Sequence, residues 1–159
     1  TLPLSPLLSL CLTVSRALLA IHSLPCAHLD LKPDNILLSP TGPLLTDFGS
    51  ATLRPVRPIS DKRSTMNLVD SAASNTTISY RPPELFEGGL RPAQGSSYDL
   101  RSVDSWSFGC LLFAVAFGES PFECEFDRNG RGVKVVECGH LRVLGKGYDV
   151  RQRMGDVWE

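Results

Sequence analysis

Between two apolar stretches of different period lies a polar run, His28-Leu29-Asp30-Leu31-Lys32-Pro33-Asp34-Asn35, and Asp47 follows twelve positions after Asn35. This arrangement constrains the fold most, because both of its flanks have a readable structure. Upstream, Ser5 and Pro6 suit a helix cap and first helical position, and Leu7, Leu8, Cys11, Val14, Leu18 and Leu19 recur at helical spacing, which predicts a helix over residues 6–22 ended by Pro25. Downstream, two short apolar runs, 36–38 and 44–46, flank Ser-Pro-Thr-Gly-Pro, which reads as a β-hairpin with a five-residue turn. Pairing 38 with 44 and 36 with 46 would set Asn35 opposite Asp47, delivering two oxygen-bearing side chains to one spot.

The remainder is read more coarsely. Residues 50–75 are rich in Ser, Thr, Arg and Pro with weak periodicity and read as a long, mobile surface segment; 87–98 form a second irregular stretch. Ser102 suits a helix cap with Asp104 in the first turn, and Trp106, Phe108, Cys110, Leu111, Leu112, Phe113, Val115 and Phe117 set apolar side chains on every face, as expected of a helix buried at a domain centre. The aromatics there read as core. After residue 119 the chain is Gly-rich without a sustained period, and no structure is assigned to it. The elements define an α+β chain, and 159 residues with 42% apolar content suit one domain.

A net charge of −1 supplies no basic field to attract nucleic acid. The five cysteines lack a C-x-x-C spacing, so reduced thiols are the simplest reading, and Cys138 with His140 makes no more than half a metal site. The apolar N-terminal run is interrupted by Arg16 and lacks a basic leader, and the stretch 108–118 falls short of the roughly 20 residues that cross a bilayer, so no transmembrane span is expected.

The run from His28 to Asn35, followed by Asp47-Phe48-Gly49, resembles the catalytic loop and metal-binding motif of protein kinases. Thr-Ile-Ser-Tyr-Arg-Pro-Pro-Glu resembles the close of the kinase activation segment, and Val-Asp-Ser-Trp-Ser-Phe-Gly-Cys the helix that follows it. The resemblance implies a partial kinase domain over residues 1–122: the mainly helical C-terminal lobe with its short hairpin, the N-terminal lobe being absent and 123–159 a divergent tail. It also implies ATP and Mg²⁺ as cofactors and Ser/Thr hydroxyls of proteins as acceptors.

The chemistry accounts for the residue types, since phosphoryl transfer needs positioning and charge neutralisation more than covalent help. Asp30 would take or orient the proton of the acceptor hydroxyl, and Lys32 would offset charge on the transferring phosphate. Asn35 and Asp47 offer hard oxygens for Mg²⁺. By resemblance, Thr77 would bond Asp30 and Lys32, Gly49 would turn the backbone after Asp47, and His28 would pack and orient the loop. Asp104 would hold the loop backbone, and Glu84 would pair with an arginine of a later helix, which has no identifiable counterpart in the tail.

Asp-Phe-Gly-Ser-Ala-Thr, Thr-Thr-Ile-Ser-Tyr-Arg-Pro-Pro-Glu-Leu-Phe and Phe-Gly-Glu-Ser-Pro-Phe-Glu narrow the resemblance to the Numb-associated kinase family. That implies a helical insertion within 87–101. It also implies a cytoplasmic protein associated with Golgi or vesicle membranes through an acylated N-terminal segment outside this chain. Two departures stand out. Leu29 replaces the arginine that would pair with an activation-loop phosphate, which argues against switching by such phosphorylation, and Pro82 stands where Ala is usual. Without a Gly-rich loop, strand lysine or helix glutamate among these residues, the fragment is expected to be catalytically silent alone. The competing reading is a non-catalytic remnant or scaffold that binds protein partners.

Overall fold

The computed structural model describes residues 4–86, 88–118 and 120–122. Helix α1 spans Leu4–His22. It buries Leu10, Val14 and Leu18, spaced four apart, against Leu31, Leu111 and the half-buried Ile36 and Leu45. Each fully buried leucine is worth about 1.5–3 kcal/mol, so this stripe fixes the helix against the rest of the core. Arg16 notwithstanding, α1 is long and apolar enough, by length and composition alone, to cross a membrane; its docked stripe is also what a core helix shows.

Strands β1 (Ile36–Ser39) and β2 (Gly42–Leu45) form the expected hairpin, but in a different register. Ile36 faces Leu45, Leu37 faces Leu44, Leu38 faces Pro43 and Ser39 faces Gly42. The turn is two residues rather than five: Gly42 adopts φ +122°, open to glycine at little cost, and the Ser39 hydroxyl donates to the Gly42 carbonyl at 2.7 Å. The ladder thereby slips by one, and Thr46 rather than Asp47 meets Asn35, its N–H donating to the Asn35 carbonyl at 2.9 Å.

Residues 50–75 are more ordered than their composition suggests. They contain β3 (Val56–Pro58) and α2 (Lys62–Asn75). Asp61 caps α2 reciprocally with Ser64, and Thr65, Leu68 and Ala72 turn one narrow face inward. That local cap outweighs the weak overall periodicity. No helix occurs among the described residues of 87–100, contrary to the expected insertion. Gly88 and Gly95 take positive φ, Pro92 interrupts, and Ile59 ties the stretch down by accepting from Ala93 N–H and donating to the Ser96 carbonyl. The stretch ends in β4 (Ser97–Asp99), which pairs antiparallel with β3, Tyr98 opposite Arg57.

Helix α3 spans Arg101–Phe117 and starts one residue before Ser102, whose hydroxyl donates to the Asp99 carbonyl instead of capping. The Asp99 carboxylate receives the Arg101 N–H and guanidinium. Gly118, at φ +90°, closes the helix. Burial is one-sided among the described residues: Val103, Asp104, Ser107, Cys110, Leu111 and Ala114 are buried, whereas Phe108, Leu112, Phe113, Val115 and Phe117 are only partly so. Trp106 is likewise half-buried, stacked on Phe122 at 5.7 Å beside Tyr80 and Cys110.

Candidate active site

The segment after α1 is shaped by a buried carboxylate. Asp104, fully buried on α3, accepts the His28 N–H at 2.9 Å, the Leu29 N–H at 2.7 Å and lies 2.7 Å from His22 Nε2. These contacts support Leu29 at φ +73°, a left-handed conformation rare for a bulky residue. The Leu29 side chain enters an apolar cluster with Ile59, Leu68, Ala72, Leu85, Leu100 and Val103. Leu29 thus packs the loop onto α2 at the position where the resemblance would expect an arginine.

His28 sits beneath the loop with no exposed surface. Its Nδ1 accepts from the Asp30 N–H at 3.3 Å, and its Nε2 donates to the Thr46 carbonyl at 3.0 Å. The two partners, a donor and an acceptor, assign the proton to Nε2. The ring also meets Phe48 edge-on at 4.9 Å. It links the loop to the strand end that carries Asp47.

Asp30 is the centre of the polar network. Thr77 Oγ1 donates to Asp30 Oδ1 at 2.6 Å and the Thr77 N–H to the same oxygen at 3.1 Å, while Lys32 Nζ lies 2.9 Å from Asp30 Oδ2. Lys32 Nζ also donates to Thr77 Oγ1 at 2.8 Å. Burial favours the neutral acid, but the Thr77 hydroxyl, the Lys32 ammonium and the Thr77 amide outweigh it, so the Asp30 pKa lies below the usual carboxylate value. The carboxylate is ionised at neutral pH and only partly enclosed. An incoming hydroxyl can reach it.

Asn35 is buried at the end of a single 3-10 turn, Pro33–Asn35. Its Nδ2 donates to the Asp30 carbonyl at 2.7 Å and to Asp30 Oδ2 at 3.2 Å, which leaves the amide oxygen as a hard donor. Asp47 is exposed, at φ +58°, and its Oδ1 accepts the Gly49 N–H at 3.1 Å. The positive φ falls on Asp47 and not on Gly49. Glycine is suited to position 49 for another reason: a Cβ there would lie 3.1 Å from Asp47 Oδ1. Among the described residues no three His, Cys, Asp or Glu side chains converge as a metal cage. An amide oxygen and a carboxylate, with no soft or nitrogen donor, fit Mg²⁺, which takes few protein ligands and completes its shell with water and phosphate oxygens.

Of the remaining predicted residues, Asp104 lies under the loop, and Glu84, in the 3-10 turn Pro83–Leu85, accepts from Tyr98 Oη at 2.7 Å. Sequence reasoning missed several contributors. In the sequence His22 stands only as the end of a helix. Arg81 holds the C-terminal end of α2, donating to Thr76 Oγ1 at 2.7 Å and to the Ala73 and Thr76 carbonyls, with its guanidinium 5.0 Å from the Phe86 ring centroid. Tyr98 gave no signal at all, because its partner lies 14 residues away across an irregular loop.

The sequence model of the protein kinase domain matches residues 3–143, and the chain belongs to this family. It is 42% identical to serine/threonine-protein kinase 16 of Mus musculus over 138 residues, 86% of this chain and 43% of that protein, and matches its Homo sapiens counterpart to the same extent. Serine/threonine-protein kinase ppk13 of Schizosaccharomyces pombe is 39% identical over 105 residues, 65% of this chain and 29% of that protein. The chain thus spans less than half the length of the curated relatives it matches.

Proposed function

We propose that the protein of which these residues form part is an ATP- and Mg²⁺-dependent serine/threonine kinase of the Numb-associated family. The observation that carries this reading is the Thr77 hydroxyl bonded to both Asp30 and Lys32. It holds a carboxylate and an ammonium side by side, one to receive the acceptor's proton and one to offset charge on the phosphate. Asn35 and Asp47 would hold Mg²⁺, which neutralises ATP phosphate charge when bound. Asp30 orients the Ser or Thr hydroxyl and takes its proton as the oxygen attacks.

Residues 1–122 would be the C-terminal lobe and 123–159 a divergent tail, the first part of which, to residue 143, still falls within the family match. The Gly-rich loop and strand lysine that grip ATP would come from elsewhere in the complete protein, so this fragment would be silent alone. Its location would be cytoplasmic, at Golgi or vesicle membranes through an acylated N-terminal segment. The Leu29 packing supports control that does not rest on an activation-loop phosphate at that position.

The test is phosphate transfer by the complete protein to a generic Ser/Thr peptide, with Asp47→Asn alongside. The variant should lose at least about 100-fold in kcat. Equal activity in both would remove the metal role, and an inert complete protein would remove the enzyme reading.

A further inference from the structure

The segment from Thr77 to Leu85 leads from the Asp30 carboxylate back to the core, and a different element grips each part of it. Thr77 is tied to Asp30 and Lys32. Ser120 Oγ donates to the Ser79 carbonyl and Ser107 Oγ to the Tyr80 carbonyl, each at 2.8 Å. Arg81 grips the end of α2. The remaining anchor is at Glu84, where the Tyr98 phenol donates to Oε1 at 2.7 Å. No Lys or Arg forms an ion pair with Glu84 among the described residues.

Tyr98 is well placed to act as a strut. It is the middle residue of β4, whose pairing with β3 runs from Val56↔Asp99 to Pro58↔Ser97. Its ring packs on the cluster containing Leu85, Leu29 and Val103. Burial, with the Glu84 and Asp99 charges, pushes the phenol pKa well up, so it remains a donor. Beside it, Gly89 lies so close to Glu84 that a Cβ would approach the Glu84 carbonyl oxygen to 2.6 Å. The loop that delivers Tyr98 is therefore pressed onto the turn holding Glu84. A hydroxyl that reaches Asp30 arrives beside Thr77, which bonds the same carboxylate and opens the segment that ends at Glu84 and Leu85.

We propose that Tyr98 is a positioning residue for acceptor binding: its phenol fixes Glu84 and so joins the β3–β4 ribbon to the segment 77–85, whose half-buried Thr77 and exposed Ile78 would meet the acceptor chain. This rests on the kinase reading of the site. In the complete protein, Tyr98→Phe keeps the ring and removes only the hydroxyl. The KM for a Ser/Thr peptide should rise about 3- to 10-fold while the KM for ATP is unchanged, the scale of one ordinary intramolecular hydrogen bond, since the acceptor feels the loss only through Glu84. Glu84→Leu, which removes the acceptor and keeps the bulk, should move the peptide KM in the same direction, and the double variant should lose less than the product of the two singles. If Tyr98→Phe fails to fold, Glu84→Leu carries the same comparison. Unchanged peptide KM in either variant, or equal shifts in both KM values, overturns the proposal while the wild type still transfers phosphate; an inactive wild type overturns the kinase reading instead.

Discussion

The Leu29 amide donates to Asp104 Oδ1 at 2.7 Å, across 75 positions of sequence, and this bond holds Leu29 in a left-handed conformation immediately before Asp30. Strain in the loop is balanced by a buried acceptor on another helix. The His28 amide takes the second carboxylate oxygen, shared with His22.

Asp104→Asn tests that balance. An amide offers one accepting oxygen where a carboxylate offers two, so at least one buried N–H faces an NH₂ group. Stability should fall by about 2–4 kcal/mol, read from the denaturant midpoint at constant m-value. A loss below about 0.5 kcal/mol, the scale of ordinary surface changes, would show that the carboxylate does not support the loop.

Leu29→Arg would bury a guanidinium among Ile59, Leu68, Ala72 and Leu100. It should cost about 3 kcal/mol or more and sharply reduce hydrogen-exchange protection of α2. Leu29→Ala should cost about 2–4 kcal/mol through the cavity it leaves. If α2 amides keep full protection in both, apolar packing at Leu29 is not what docks this helix.

The lowered Asp30 pKa has a defined sign. A depressed folded-state value means that this carboxylate stabilises the fold above its unfolded pKa and that the contribution disappears as pH falls through the folded pKa, below the ordinary carboxylate range. In the complete protein the acid limb of kcat/KM assigned to Asp30 should lie in that low range. Thr77→Val removes the hydroxyl bond and should move the limb upward; an unmoved limb would mean that Thr77 does not set the charge state of Asp30.

Adjacent glycines should respond differently to alanine. Gly89→Ala drives a Cβ into the Glu84 backbone and should cost about 1–3 kcal/mol by overpacking. Gly88 has open space but φ +78°, so its penalty is conformational, about 1 kcal/mol, and Gly88→Asn should recover part of it. Thermal or denaturant unfolding of the two alanine variants and the asparagine variant separates the effects, and equal losses for all three would refute the distinction.

Much of the site was legible because its motifs are short and contiguous. The hairpin followed from pattern and turn residues, whereas the roles within His28 to Asn35 and Asp-Phe-Gly came from their resemblance to kinase motifs. The hairpin register escaped by one residue, since a two-residue turn at Pro40 and Thr41 competes with a longer one and composition does not choose between them. Helix α2 escaped because only Thr65, Leu68 and Ala72 face inward, too narrow a stripe to show as a period.

Residue order alone dictated the succession of α1, loop and hairpin, the family, and the ammonium and amide that meet the Asp30 carboxylate. Long-range packing settled that Asp104 stands under Leu29, that Leu29 packs on α2, that Asp47 rather than Gly49 carries the positive φ, and that Tyr98 reaches Glu84. The difference is one of range. Periodicity and turn chemistry act over a few residues, whereas a buried hydrogen bond between positions far apart forms only once packing has excluded water and left each group a single partner.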